Sequence, residues 1–553
     1  MRYLSLLLSL GVLLSFSACS VNPVTGQRDF VLISEDAELE MGRTYNSQVL
    51  KYQSAYEEAK VKNYVQLVGD SLSEISHRPN LIYRFTVLDS PDVNAFALPG
   101  GYIYINRGLM AYLSSEAELA AVLGHEIGHV TARHSVKKIS QAQLLNLLSY
   151  AVAAKVGSNA GDLANIASGA LLAGYGRDME LQADSLGAEY MAKLGYSTQG
   201  MLDTLSVLKD HEIYAKEVSS RRGSATQTYH GIFTSHPTND KRLNEVITKA
   251  EVLRQETLET NSVNYLKMIE GMVYGDSEAA GIRRGNSFYH RDLDIRLISP
   301  DDWEIINTPN SLIFNAPKGE AYLRLSVTDQ VKKESPRDYL TRMTRGKVFQ
   351  GKDIKLGGNE AFTALLKDGF STSRIAIVFK DKQIFTFYGS SLISGLNISD
   401  FDEGFQIIIN SFRGLHEREK KLAEPLRLKL YKVKKGDTYS SLAKRSSISY
   451  DPEAKLRLLN GDYPEGKLKT GNPIPEARMA LISLSSDRRP KAMRVASKTA
   501  MGTDKAMIQA RLRNRYSRMV RTSSPFPRKR SIARRRKLMN RRNVIISREK
   551  IKG

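Results

Sequence analysis

The chain has 553 residues, 41% hydrophobic and 25% charged, which excludes a mostly disordered or polytopic membrane protein and asks for several domains. Its net charge of +22 suggests a nucleic-acid binder, but Ala477 onward holds 24 Lys and Arg against 3 Asp and Glu, leaving 57 and 56 before it. The basicity belongs to a tail, nucleic acid is not an expected partner, and the single cysteine, Cys19, excludes an intramolecular disulfide and leaves histidine and carboxylate to hold any zinc.

Met1-Arg2 and the apolar run from Leu4 to Phe16 read as a signal peptide over residues 1–18, too short to span a bilayer. Ser17-Ala18-Cys19-Ser20 resembles a bacterial lipoprotein processing site, although Phe16 stands where that pattern more often has Leu. The resemblance implies a lipid on Cys19, and Ser20 in place of an acidic residue implies outer-membrane retention, with the rest of the chain in the periplasm. Residues 19–34 would then be a lipidated leader.

Helical spacing is predicted from Glu35 to Val49 and again between Tyr56 and Ile75, through Val61, Tyr64, Val65, Leu67, Val68 and Leu72. Leu81 to Leu88 alternates and predicts a strand. Asn94 to Leu98, a Pro99-Gly100-Gly101 turn and Tyr102 to Ile105 predict a hairpin or sheet edge. Such an edge either takes a peptide as an added strand or is plain structure.

Leu119 to His134 reads LAAVLGHEIGHVTARH, and Ser115 with Glu118 offers a capping box for its helix. His125 and His129 lie four apart on one helical face, where two imidazoles can share a zinc ion, and Glu126 sits beside them as a candidate base. His134 is predicted to fall off that face by roughly 140° and to be structural or exposed. His77, His211 and His230 receive no role. Leu144 to Tyr175 is rich in small and apolar residues but is interrupted by Lys155, Asn159, Asp162 and Asn165, which favours a helical pair or mobile lid over a membrane span. Arg177 opens a further helix ending near Gly195, with Glu180 able to complete a His2Glu site and Asp184, one turn on, able to accept a hydrogen bond from a ligand histidine. Ser219 to Thr228 is polar and aperiodic, read as a moving loop, and a helical pattern runs from Asp240 to about Gly275.

GHEIGHV, the later ELQAD, and Ser235-His236-Pro237 with Arg242 downstream together resemble the gluzincin metallopeptidases of the HtpX and CAAX prenyl protease superfamily. The BepA-like exported branch is the nearer likeness, through the leader NPVTGQRDFVLIS and the segment NAFALPGGYIYINRGL. The resemblance runs from about Val21 to Glu251. It implies a mainly α-helical, zincin-type α+β peptidase domain over residues 35–275, with one Zn2+ on His125, His129 and Glu180. Glu126 would be the general base toward a zinc-activated water. His236 would either donate to the developing oxyanion or occupy the fourth zinc position at rest, and Arg242 would fix that loop or a carboxylate. The implied function is a zinc endopeptidase of the bacterial envelope that cleaves misfolded or stalled envelope proteins. The alternative is a latent metallopeptidase acting as a chaperone-like assembly or quality-control factor at the outer membrane.

Residues 285–415 predict an α+β accessory domain. Its strands fall near Leu293 to Leu297, Ala321 to Val327, Ser373 to Phe379 and Ile384 to Tyr388, and its helices at Ser335 to Arg345 and Phe401 to Phe412. It lacks any catalytic spacing and reads as a module that binds substrate or a partner. No period near roughly 34 residues marks a TPR array. Residues 428–475 resemble a LysM-like βααβ unit, which implies peptidoglycan as a ligand, although Pro473 and Pro475 weaken its last strand and leave glycan binding open. Residues 476–553 read as a disordered basic tail, and its onset at a truncated LysM-like ending suggests a shifted reading frame.

Overall fold

The computed structural model describes residues 19–153, 174–222, 260–308, 311–368, 371–392, 398–468 and 479–484. The signal segment, His230, His236, Arg242 and the basic tail beyond Leu484 lie outside them.

The leader opens with a ribbon of β1 (Cys19–Val21) against β2 (Arg28–Phe30). Asn22 closes it, its side-chain oxygen accepting from the N–H groups of Val24 and Thr25 at 2.8 and 3.2 Å. Helix α1 (Glu35–Tyr52) begins at Ser34, whose hydroxyl accepts from the Ala37 N–H. Helix α2 (Ala59–Glu74) buries Val61, Val65, Val68 and Leu72. Leu67, expected among that series, is instead 65% exposed, because it lies on the opposite side of the helix from Val65 and Leu72.

Strand β3 (Arg84–Leu88) starts three residues later than Leu81 and runs parallel to β5 (Tyr102–Asn106), which pairs antiparallel with β4 (Ala95–Leu98). The sheet order β3-β5-β4 leaves β4 at its edge among the described residues. The turn between β4 and β5 needs glycine, since Gly101 has φ +86° and a Cβ there would sit 2.7 Å from the Ile82 carbonyl oxygen.

Helix α3 (Glu116–Thr131) follows, buried from Ala117 to Thr131. Ser115 caps it by accepting from the Glu118 N–H at 3.2 Å, and the Glu118 carboxylate reaches back to the Ser114 N–H at 2.9 Å. After a tight turn come α4 (His134–Ala153), α5 (Arg177–Lys193), α6 (Gln199–Arg222) and α7 (Ser262–Ile269). Ser219 to Arg222, expected in a loop, extends α6. The helical reading toward Gly275 stops at Ile269, and β6 (Val273–Tyr274) takes its place. Among the described residues no helix is long and apolar enough to cross a membrane.

A small antiparallel sheet, β7 (Ile282–Arg284), β8 (Ser287–His290) and β9 (Ile295–Ile298), leads into the accessory region. There β10 (Glu304–Thr308), β11 (Ser311–Asn315), β12 (Ala321–Asp329), β13 (Val348–Leu356), β14 (Asn359–Asp368), β15 (Ser371–Lys380) and β16 (Gln383–Ser391) form a seven-stranded sheet. All its pairings are antiparallel, in the order β10-β11-β12-β16-β15-β14-β13. Side chains alternate between its faces. Helix α8 (Pro336–Thr344) covers one face, packing Leu340 with Ile375 and Ile377, and α9 (Ser399–Asn410) covers the other, packing Phe405 and Ile408 with Ala376 and Val378.

The chain then returns to the first domain. Strand β17 (Leu426–Tyr431) pairs with β6 on one side and with β18 (Met479–Leu484) on the other. Between these strands lie α10 (Tyr439–Ala443) and α11 (Pro452–Leu459). Tyr439, Leu442, Leu456 and Leu459 share one apolar core with Leu123 of α3 and Tyr265 of α7. Strand β18 falls inside the segment read from sequence as a disordered tail.

Candidate metal centre

Helices α3 and α5 approach so closely that only small residues fit between them. A Cβ on Gly124 would lie 3.2 Å from Gly187 Cα, one on Gly128 would lie 2.9 Å from the Ala183 carbonyl oxygen, and one on Gly187 would lie 2.9 Å from the His125 amide nitrogen. This approach brings Glu180 and Asp184 of α5 to the histidines of α3.

His125 Nε2 and His129 Nε2 are 3.0 Å apart, and the Glu180 carboxylate oxygens lie 3.6 Å from the first and 3.5 Å from the second. Donors around a four-coordinate ion with bonds of about 2.0–2.1 Å are about 3.3–3.4 Å apart, so this set fits one tetrahedral cation with a position to spare. All three side chains are buried, which is costly for a carboxylate and two imidazoles unless a cation is shared. Burial holds His129 well below the usual imidazole pKa, with the neighbouring His125 acting in the same direction and Glu180 opposing it. The neutral imidazole that results is the form that binds metal. Glu126, next to His125 on α3, is 1% exposed.

Each histidine of the cluster has an outer partner. His125 Nδ1 lies 2.8 Å from Asp184 Oδ1, the contact expected from the sequence. His129 Nδ1 lies 2.8 Å from Nδ1 of His134. The latter corrects the expectation for His134, which is fully buried and turned toward the site. The angular estimate assumed an unbroken helix, whereas α3 ends at Thr131 and α4 starts afresh at His134. Sequence reasoning also missed Tyr175, whose ring stacks on His129 at 3.9 Å, and Gln182, whose Oε1 lies 3.0 Å from His134 Nε2. Gln182 stands inside the acidic motif itself, but a neutral side chain there carries no ligand signal. His77 is structural, with Nδ1 2.8 Å from the Tyr190 hydroxyl.

Residues 59–250 match the model of Peptidase family M48. The chain is 26% identical over 270 residues to the Beta-barrel assembly-enhancing protease of Yersinia pestis, covering 46% of this chain and 53% of that protein. It is 31% identical over 167 residues to Metalloprotease YcaL of Escherichia coli (strain K12), covering 30% and 60% respectively. It is also 31% identical over 184 residues to Mitochondrial metalloendopeptidase OMA1 of Arabidopsis thaliana, covering 32% and 34%. The chain thus spans less than two thirds of the length of each of these relatives. The solution structure of cyanobacterial PsbP (CyanoP) from Synechocystis sp. PCC 6803 aligns at 10% identity with a TM-score of 0.19, over 25% of this chain and 94% of that one, too low to carry an argument. The buried His125, His129 and Glu180 cluster thus lies inside the segment 59–250, the part of this chain that matches Peptidase family M48.

Proposed function

We propose that the protein is a zinc-dependent endopeptidase of the bacterial envelope that cleaves misfolded or stalled envelope proteins. The observation that carries this reading is the convergence of His125, His129 and Glu180 inside an M48 domain, with Glu126 buried beside them. Zinc held by those three side chains would polarise a scissile carbonyl and acidify water. Glu126 takes the proton from the attacking water and passes it to the leaving amine. Asp184 accepts from His125 Nδ1–H and so keeps Nε2 of that ring toward the cation. Strand β4 offers its outer backbone groups to a substrate lying alongside as an added strand. His236 donates to the oxyanion, with Arg242 in support.

In the same reading Cys19 carries the lipid that anchors the protein to the outer membrane, and residues 428–475 bind peptidoglycan as a LysM-like unit. Proteases of β-barrel assembly among the relatives support an envelope setting. The intact mass of the mature protein reports both the acyl group on Cys19 and the presence of the basic tail; an unmodified Cys19 would remove the anchor from this proposal.

Cleavage of an unfolded protein tests the chemistry. A chelator is expected to abolish it, and Glu126→Gln to lower kcat by about 10²–10⁴-fold while zinc stays bound. Undiminished cleavage by Glu126→Gln would sink the mechanism. Activity that emerges only in His236→Ala would instead assign the protein to the latent class.

A further inference from the structure

Between α3 and α4 the chain turns on Ala132 and Arg133, and Arg133 holds a left-handed φ of 55°. Arg133 is fixed there from the leader and α1, donating from Nε to Glu38 Oε2 at 2.8 Å and from a terminal nitrogen to the Ile33 carbonyl at 3.1 Å. The turn aims His134 at the metal centre. His134 and His129 are 0% and 1% exposed, and their Nδ1 atoms are 2.8 Å apart.

Two imidazole nitrogens at that distance share one proton, because two N–H groups or two lone pairs facing each other repel. A metal ligand at His129 Nε2 presents a lone pair there, so His129 carries its proton on Nδ1 and donates it. His134 Nδ1 therefore accepts, and the neutral ring of His134 bears its own proton on Nε2. That atom faces Gln182 Oε1, an acceptor, at 3.0 Å. Every donor in the chain from His129 through His134 to Gln182 thus meets an acceptor, and Gln182 returns the chain to α5, two residues beyond Glu180.

We propose that His134 is a positioning residue of the metal centre, which sets the tautomer and ring plane of His129 by accepting its Nδ1 proton. It does for His129 what Asp184 does for His125, but with a neutral ring in place of a carboxylate. Gln182 in turn selects the tautomer of His134. The proposal rests on His125, His129 and Glu180 being the metal ligands.

Zinc affinity by chelator competition, together with the visible absorption of the Co2+-substituted full-length protein, tests it. Wild type binding zinc no better than His129→Ala would defeat the ligand reading itself. Provided wild type binds, His134→Ala is expected to weaken zinc binding about 10–100-fold and to shift the cobalt bands. His134→Asn, whose side-chain oxygen falls near the place of Nδ1, should recover most of the affinity; a purely space-filling role would not discriminate between the two. Wild-type affinity and spectrum in His134→Ala would overturn the proposal. Should His134→Ala fail to fold, Gln182→Leu decides, with a loss of about tenfold expected and an unchanged affinity counting against it.

Discussion

His211 of α6 lies edge-on to Tyr112, ring centroids 4.1 Å apart, and is 5% exposed. Burial lowers its pKa to about 4. The folded value lies below the unfolded one, near 6.5, so the unfolded chain takes up the proton first as pH falls. Stability is therefore lost between about pH 6.5 and pH 4, by about 3 kcal/mol, and not further below. Thermal melting of His211→Phe, which keeps a ring against Tyr112 but cannot titrate, should show a shallower decline over that window, and parallel curves would refute the assignment. At this scale the cluster of His125, His129 and Glu180 was legible in the sequence because metal chemistry restricts residue types and spacing. His134 was not, since its direction depends on a backbone break at Arg133, a residue type that does not announce a left-handed φ.

Helices α3 and α5 meet through Gly124, Gly128, Ala183 and Gly187, and that contact, more than any side chain, delivers Glu180 to the histidines. Gly128→Ala would press a methyl group to within 2.9 Å of the Ala183 carbonyl oxygen, which belongs to backbone and cannot swing away. Overpacking of this kind costs about 1–3 kcal/mol. The expected outcome is a lower denaturation midpoint of the metal-free protein and weaker zinc binding at once, whereas an unchanged affinity would show that the helices yield without moving Glu180. The capping box and H-E-x-x-H spacing marked α3, and the acidic segment from Arg177 marked α5, but neither signal registers glycine spacing. The hairpin was legible for the opposite reason, because Pro99-Gly100-Gly101 states its turn chemistry openly.

Across the whole molecule the core around α3 is closed by residues far along the chain. Leu426 and Arg427 pair with Tyr274 and Val273, the Val273 carbonyl accepts from the fully buried Arg107, and Tyr274 meets the Tyr112 hydroxyl at 3.0 Å. A chain ending at Pro425 would expose this face and remove Leu426, Leu428, Tyr439 and Leu442 from the core they share with Leu266 and Tyr265. Its metal domain should melt at a lower temperature than in the full protein, and an unchanged transition would show that residues 426–468 fold apart from it. Sequence periodicity places strands and helices but does not say which distant strand completes a sheet, so this closure was not legible.

The leader and the start of α1 are pinned along their course. Asn22 is 3% exposed, Asp29 pairs with Lys137 of α4 at 2.5 Å, the Leu32 N–H donates to Ser140 at 3.0 Å, and Glu38 joins Arg78 and Arg133, each at 2.8 Å. An acyl chain on Cys19, as proposed above, would therefore leave the protein directly from a strand already paired with β2, with no slack residue between lipid and ordered chain. So short a leash would set a working radius: under the proposed anchor the domain would stay in the layer next to the bilayer, and clients would have to arrive there to be cut.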